Sequence, residues 1–557
     1  MKEIKHLLTT QGESIKGNEY DLYPRPQLKR DSFLSLNGRW TLCACGEERE
    51  ILVPYPPESI LSGVNRVFPD GTPLTYQKSF TLPDGFKRDR VIINFGAVDG
   101  SCDLYVNGKM VGFNVGGYYS FSFDITDYLK EGENQLTLKV VDSQRGQAMP
   151  YGKQCFKRGG MWYTPVSGIW QSVWLESVPS KYMNGLFIDT GLDFCDILVR
   201  GVECGTLTLL ENGRTYPVES GKCHIDIENP KLWSPESPYL YHFILECGQD
   251  KIESYFALRT LTVKEVDGIQ RLCLNDKPYF FHGVLDQGYF SDGIYTPATP
   301  DLYRQDVAKM KELGFNTLRK HIKIEPEWFY YECDRQGMIV FQDMVNNGKY
   351  SFFHDTALPT IGLKNLPEVK RTESQKKYFK HFMKRTVTQL YNHPSICYWT
   401  IFNEGWGQFE SDKMYDTLLE QDTSRFVDTN SGWFGRHKTQ VESLHVYFKP
   451  VKLKGKYDKP VVLSEFGGYS YKEENHVANV KDTYGYRFFK ERDKLEDAFV
   501  ELYEKEIIPL IKEGLCGAIY TQLSDVEDET NGILTYDRRV CKLSKERLIE
   551  IAEKLKI

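Results

Sequence analysis

Through the first 178 residues apolar and polar positions alternate with a period of two. Leu136, Leu138 and Val140, set apart by Thr137 and Lys139, show it best, and this is the pattern of a strand with one buried face. Asn107-Gly108 separates the short runs 104–106 and 109–111, which predicts a tight hairpin. No amphipathic helix interrupts the region, so residues 1–178 are expected to form a β-sandwich. Residues 179–262 repeat the pattern on a smaller scale: 207–210 turns at Asn212-Gly213 into 215–218, and a Pro-rich turn at 233–238 precedes later strands. Several short strands in so small a segment predict an immunoglobulin-like sandwich.

From residue 263 the pattern changes to apolar strands alternating with helices, the grammar of a parallel α/β fold. Strands are expected at 280–286, 316–321, 338–343, 398–404, 425–428, 443–447, 460–465 and 517–522. After the first, Thr299 is placed as an N-cap and Pro300 at the first helical position. Tyr303, Val307, Met310 and Leu313 line one face of that helix, and Gly314 is placed to end it. A longer helix carries Phe379, Phe382, Met383, Val387 and Leu390 on one side. Eight strands over 263–557 predict a (β/α)8 TIM barrel, although the fifth and sixth connections are too short for full helices.

Composition narrows the function. The net charge of −7 offers no basic field for nucleic acid or an anionic membrane surface. No apolar run is long enough to span a bilayer, and the polar start at Met1-Lys2-Glu3 lacks the apolar centre of a signal peptide. The thirteen cysteines follow no metal-ligand or disulfide spacing, and Cys273, Cys397 and Cys516 sit inside apolar runs. Reduced thiols in a cytoplasmic protein are therefore expected. The abundant aromatics suit sugar-stacking surfaces, and equally the cores of large β-rich proteins.

Candidate chemistry sits at the strand ends. Asp286, His321, Asp343, Glu404, Tyr447, Glu465 and Gln522 each close a predicted strand, at the end where α/β barrels build active sites. Any one of them could cap a helix or face a solvated loop, but the ring as a whole favours convergence on a site. Glu404 and Glu465 are the minimum equipment for cleaving a glycosidic bond with retention, one as acid/base and one as nucleophile. The nucleophile needs donors, for which Arg319 and Tyr447 are candidates, and Asn403 could bind a sugar hydroxyl or simply order its loop. His282, His321, His393, His437 and His445 show no ligand spacing, so no metal or other cofactor is expected.

The stretch from Tyr391-Asn392-His393-Pro394 through Trp399 to Asn403-Glu404-Gly405-Trp406 resembles the acid/base signature of glycoside hydrolase family two. Tyr23-Pro24-Arg25-Pro26, Asn37-Gly38-Arg39-Trp40, Ser167-Gly168-Ile169-Trp170, Gly314-Phe315-Asn316-Thr317-Leu318-Arg319 and Ser464-Glu465-Phe466-Gly467 resemble further motifs of that family in the same order. The resemblance covers nearly the whole chain. It implies a jelly-roll sugar-binding-like domain (1–178), an immunoglobulin-like domain (179–262) and a catalytic TIM barrel (263–557). It also implies retention, with Glu404 as acid/base and Glu465 as nucleophile.

Asp286, Arg319, His321, Asn403, Tyr447 and Gln522 are then the expected substrate contacts. The 286–293 and 319–323 segments resemble a compact β-galactosidase-like subgroup. Lys320 and Lys323 could meet an anion, but a solvated loop is the plainer expectation. The resemblance implies that the family's β-glucuronidases read the sugar carboxylate with an Asn-x-Lys motif; the comparable stretch here, Glu527 to Asp537, is acidic and lacks that Lys, so a β-glucuronide is disfavoured on charge repulsion. A small β-galactoside is the expected substrate, with β-galactofuranosides and β-mannosides as alternatives and a catalytically dead carbohydrate-binding protein as the rival class. The chain ends soon after the barrel, so the extra domains of large β-galactosidases are not expected. A homo-oligomer is compatible with all of this.

Overall fold

The structure is a computed structural model that describes residues 7–143, 147–360, 362–363, 368–434, 437–455 and 457–557. The first six residues, on which the reading of the amino terminus rests, lie outside the described residues.

The amino-terminal sandwich packs a six-stranded sheet on a four-stranded one. The alternation at 136–140 belongs to the strand Glu133–Val141, whose inward Leu136, Leu138 and Val140 are wholly buried. Asn107 (φ +51°) and Gly108 (φ +78°) join Ser101–Val106 to Lys109–Val115. Both turn residues are left-handed, as a two-residue hairpin matching strand twist requires. The middle unit has seven antiparallel strands in one hydrogen-bonded series. A single pair, Glu219 with Lys222, joins its three-stranded and four-stranded parts, so the series folds over into two layers around Ile197, Leu207, Phe243 and Ile252.

The barrel strands are β1 (Phe281–Asp286), β2 (Thr317–Lys320), β3 (Ile339–Asp343), β4 (Ile396–Asn403), β5 (Phe426–Ser431), β6 (Glu442–Val446), β7 (Val461–Gly467) and β8 (Leu515–Thr521). They run parallel in the order 5-4-3-2-1-8-7-6. Among the described residues no ladder joins β5 to β6. Side chains close that seam: Val427 N donates to Gln440 Oε1 at 2.8 Å, and Ser431 Oγ meets His445 Nε2 at 3.0 Å. Helices α1 (Asp301–Glu312), α2 (Glu327–Gln336), α3 (Glu373–Leu390) and α4 (Ser411–Leu419) follow the first four strands. α5 (Arg492–Leu502) follows β7 and α6 (Lys545–Lys554) follows β8. Residues described between β5 and β6, and between β6 and β7, form no helix, which is the weakness the short connections foretold.

One helix start differs from expectation. The Thr299 hydroxyl is buried without a hydrogen-bond partner, and Pro300 takes the N-cap position. The Leu302 and Tyr303 amides bond to the Thr299 and Pro300 carbonyls instead, so the first turn has no need of the hydroxyl.

Two packed layers set the strand faces. Phe281, Leu285, Phe341, Tyr398, Val462 and Ile519 fill the barrel interior with Leu272 and Leu274 from the three-stranded sheet that plugs its floor. Val284, Leu318, Val340, Ile401 and Leu463 face the helices. All thirteen cysteines are free, and no helix is long and apolar enough to cross a membrane.

Candidate active site

At the carboxyl end of the barrel several strands place a polar side chain above the apolar floor, Arg319 on β2, Asp343 on β3, His445 on β6 and Glu465 on β7 among them. On β2, Thr317 and Arg319 take the inward phase. Arg319, 1% exposed, is the hub. Its Nε donates to Asp343 Oδ1 (3.0 Å), one terminal nitrogen donates to Glu465 Oε1 (3.0 Å), and the other donates to Asn403 Oδ1 (2.8 Å). A planar guanidinium can fix three acceptors at once in this way. Asp343 Oδ2 also bonds His321 Nδ1 at 2.7 Å. Burial pushes the Asp343 carboxyl up, but Arg319 and His321 outweigh it and hold it below its ordinary value. Burial pulls the His321 ring down despite Asp343.

Glu465 reaches the interior through a break in register. Leu444 pairs with Leu463, but His445 pairs with Glu465. The bulge sends Ser464 and Glu465 to the same side, a common device beside active sites. Glu465 Oε1 accepts from Arg319, and Oε2 accepts from the Tyr447 hydroxyl at 2.5 Å. Burial, with Glu465 and Glu404 nearby, holds the Tyr447 phenol well above its ordinary value, so Tyr447 stays protonated and donates.

Glu404 stands just past β4 with φ +54°, a strained conformation for a side chain of this kind. Its amide is tied to the Ser431 carbonyl at 2.9 Å. The following Gly405 (φ +74°) is required, because a Cβ there would lie 2.4 Å from the Phe434 ring. His445 Nδ1 meets Glu404 Oε1 at 2.8 Å. Arg319 can only donate, and it faces His445 Nε2 at 3.4 Å, so Nε2 accepts and Nδ1 carries the proton toward Glu404. That leaves the other carboxyl oxygen to hold the acid proton. Burial raises the Glu404 carboxyl above its ordinary value against the pull of Lys153, His321 and Arg319, the shift a general acid needs.

Side-chain atoms of Glu404, His445 and Glu465 lie within 4.8 Å of one another. Among the described residues this is the one such group close enough to share a cation, yet hydrogen bonds already engage each member. The spacing of the two carboxyls matches the ~5 Å of double displacement rather than the ~6.5–9.5 Å that leaves room for an inverting water.

Arg319, His321, Asn403 and Tyr447 thus surround the two glutamates. Asp286 does not join them. It pairs in register with Lys320 and takes the outward phase of β1. There it accepts from the Lys320 ammonium at 2.6 Å and from the Gly288 amide at 2.8 Å. Gln522 is bound to Asn531 at 2.8 Å, and its carbonyl oxygen is buried without a partner. Lys320 and Lys323 are not in a solvated loop either: each is 1% exposed, and both pair with Glu325. Sequence reasoning missed His445 as a site residue. The alternation that selects Tyr447 also puts Ser443 and His445 on the same face.

A wall of the site comes from the sandwich. Residues 147–165 cross to the barrel mouth, where Tyr151 bonds the Asn346 and Gly348 carbonyls. The Thr164 amide donates to Glu527 at 2.8 Å, and the Tyr163 hydroxyl donates to Glu529. Arg158 lies 3.3 Å from Glu527 and 3.6 Å from Asp528, and Asn479 donates to Asp528 at 2.8 Å. Burial raises the Glu527 and Glu529 carboxyls. The acidic run is therefore engaged, and the repulsion expected of it toward a sugar carboxylate loses its basis.

Three family models match in chain order: the glycosyl hydrolases family 2 sugar binding domain over residues 28–179, glycosyl hydrolases family 2 over 203–259, and its TIM barrel domain over 265–541. A beta-galactosidase from Aeromonas hydrophila is 25% identical over 445 residues, 72% of this chain and 40% of the relative. A beta-glucuronidase from Bacteroides fragilis is 25% identical over 361 residues, 59% of this chain and 49% of the relative. The chain thus spans less than half the length of these curated relatives. In fold it is similar to the beta-D-glucuronidase structure from Dictyoglomus thermophilum, with TM-score 0.75, 17% identity, and 96% of this chain and 98% of that one covered.

Proposed function

The chain belongs to glycosyl hydrolase family 2, and from that membership we propose that it is an exo-acting, retaining β-glycosidase. The observation that carries the reading is the approach of Glu404 and Glu465 to within 4.8 Å, with donors on both oxygens of Glu465 and a raised carboxyl at Glu404. Glu465 attacks the anomeric carbon while Glu404 protonates the departing glycosidic oxygen. Glu404, now ionised, then takes a proton from water, which displaces Glu465 and restores the β configuration. Asn403 has its carbonyl held by Arg319, which leaves its amide hydrogens for a sugar hydroxyl.

For the sugar, a β-galactoside follows from the subgroup resemblance and from relatives named beta-galactosidase. A β-glucuronide is the second reading. It is favoured by the engaged state of Glu527, Asp528 and Glu529 and by a relative named beta-glucuronidase. A binding-only protein has no need of so complete a network around two carboxyls. Hydrolysis of a nitrophenyl β-glycoside panel, followed by proton NMR, tests the reading. The first-formed sugar is expected to be the β anomer, and an α anomer would overturn retention.

A further inference from the structure

The sandwich loop carries a charge that this mechanism does not use. Among the described residues four lysines expose less than a tenth of their surface. Lys320 pairs with Asp286 and Glu325, Lys323 with Glu325, and Lys542 with Asp525. Lys153, 9% exposed, is the one whose ammonium makes no hydrogen bond or ion pair among the described residues.

Its neighbours place it in the sugar pocket. At Gly152 (φ +62°) a Cβ would lie 2.9 Å from the Ile322 carbonyl, so the chain runs against the residue after His321. The Lys153 carbonyl accepts from the Tyr163 amide at 3.1 Å, and Tyr163 holds Glu529. The ammonium lies 5.5 Å from the centre of the Trp162 ring, and Trp162 packs edge-on at 5.1 Å against Trp406, two residues past Glu404. Its charge acts on His321, Glu404 and Glu529 alike.

None of these groups serves as its counterion. Glu404 must begin each cycle protonated, and Glu529 already accepts from Tyr163 and Asn531. Glu527 and Asp528 belong to Arg158, Thr164 and Asn479. An indole ring gives an ammonium only about 0.5–2 kcal/mol, and the Lys153 Nζ is not among the enclosed side-chain nitrogens that lack a partner, so it keeps access to the space at the mouth of the site.

We propose that Lys153 reads the sugar in this site, taking an anionic group on the C5 arm of the terminal residue, a carboxylate or a phosphate ester. The proposal rests on the retaining β-glycosidase reading, and between its two sugars it takes the anionic one over the neutral β-galactoside. It also makes the sandwich part of the active site.

The test compares kcat/KM for nitrophenyl β-glucuronide and β-galacturonide, the matching neutral hexosides and their 6-phosphates. The wild type is expected to favour an anionic glycoside over its neutral partner by about 30-fold or more, the effect of one hydrogen bond between charged groups, and the rank of carboxylate against phosphate names the group. Lys153→Met should lose about 100-fold on the anionic substrate, chiefly in KM, and no more than about tenfold on the neutral one. Lys153→Arg should retain most of the preference. A wild type that favours the neutral hexoside, or equal losses on both substrates in Lys153→Met, overturns the proposal. If no glycoside is cleaved, the reaction assignment has failed, and binding to Glu465→Gln then decides the role of Lys153. Free hexuronate or hexose 6-phosphate should bind this variant at least about tenfold tighter than the neutral hexose, and equal binding overturns the proposal.

Discussion

Arg319 and Lys320 are neighbours on one strand, both 1% exposed, and they anchor two ion networks that differ in kind. Arg319 faces the barrel interior and joins Asp343, Glu465 and Asn403. Beside it stand groups with capacity to spare: the amide of Asn403, the second oxygen of Glu404 and Lys153, whose ammonium has no ion-pair partner among the described residues. Lys320 faces the helices and joins Asp286 and Glu325, while Glu325 also binds Lys323 and the Tyr303 hydroxyl. Nothing in that outer set waits for a partner. Burial of charge therefore does not mark a functional site, because both networks are buried; unused bonding capacity turned toward the interior does. Burial lowers Lys323 to about 8, with Glu325 opposing and Lys320 adding to the shift, and this large perturbation sits in the structural network.

Breaking the inner network should abolish chemistry and spare the fold. Glu465→Gln keeps the shape and loses the nucleophile, so turnover should fall by about 10⁴-fold or more with the melting temperature little changed. Wild-type rates from purified variant would end the assignment. Glu404→Gln should cost about 10²–10⁴-fold on alkyl glycosides and far less on dinitrophenyl glycosides, whose leaving groups need no proton. Because burial raises the Glu404 carboxyl, wild-type kcat/KM on alkyl glycosides should fall as pH rises through that raised value and the acid is lost. The variant should lack this alkaline limb. A limb that persists in Glu404→Gln would give the acid role to another group.

Breaking the outer network should do the reverse. Lys320→Met leaves Asp286 and Glu325 buried with an unmet charge, which costs about 3–5 kcal/mol of stability. Denaturant titration would show this as an earlier midpoint, and turnover per folded molecule should stay close to wild type. A variant of wild-type stability that has lost its activity would move Lys320 and Asp286 into the site and erase the contrast.

This contrast also sets what can be read from sequence. The eight strands and both glutamates are legible, because an apolar β-branched run that stops at a carboxylate has few structural uses. Strand phase at the rim is less legible. Asp286 looks like Asp343, but alternation from Phe281 sends it outward, where it pairs with Lys320. Alternation fails at Glu465, since the register shift between Leu463 and Phe466 adds a residue that no periodicity announces. His445 shares a face with Ser443 and Tyr447 by alternation, but a histidine that acts as a hydrogen-bond donor carries no spacing signature of the kind a metal ligand has. Lys153 lies some 250 residues before Glu404, on a loop whose crossing to the barrel depends on tertiary contacts alone. Such long-range placement leaves no local trace.

The smallest expected effect probes how the inner network divides its work. Tyr447 has two attachments: its hydroxyl donates to Glu465 and lies 3.0 Å from Thr521 Oγ1, and its ring stacks on Tyr486 with centroids 3.7 Å apart. Phenylalanine keeps the stack, so Tyr447→Phe should fold normally and test the hydroxyl alone. A hydrogen bond to a charged group contributes about 1.5–3 kcal/mol, which corresponds to roughly a 10–100-fold loss in kcat/KM. Arg319 still holds the other oxygen of Glu465, so the loss should stay well short of that in Glu465→Gln. An unchanged rate would mean that Arg319 alone aims the nucleophile. A loss near 10⁴-fold with normal unfolding would mean that the two donors act as one unit, and the inner network would then be as tightly interdependent as the outer one.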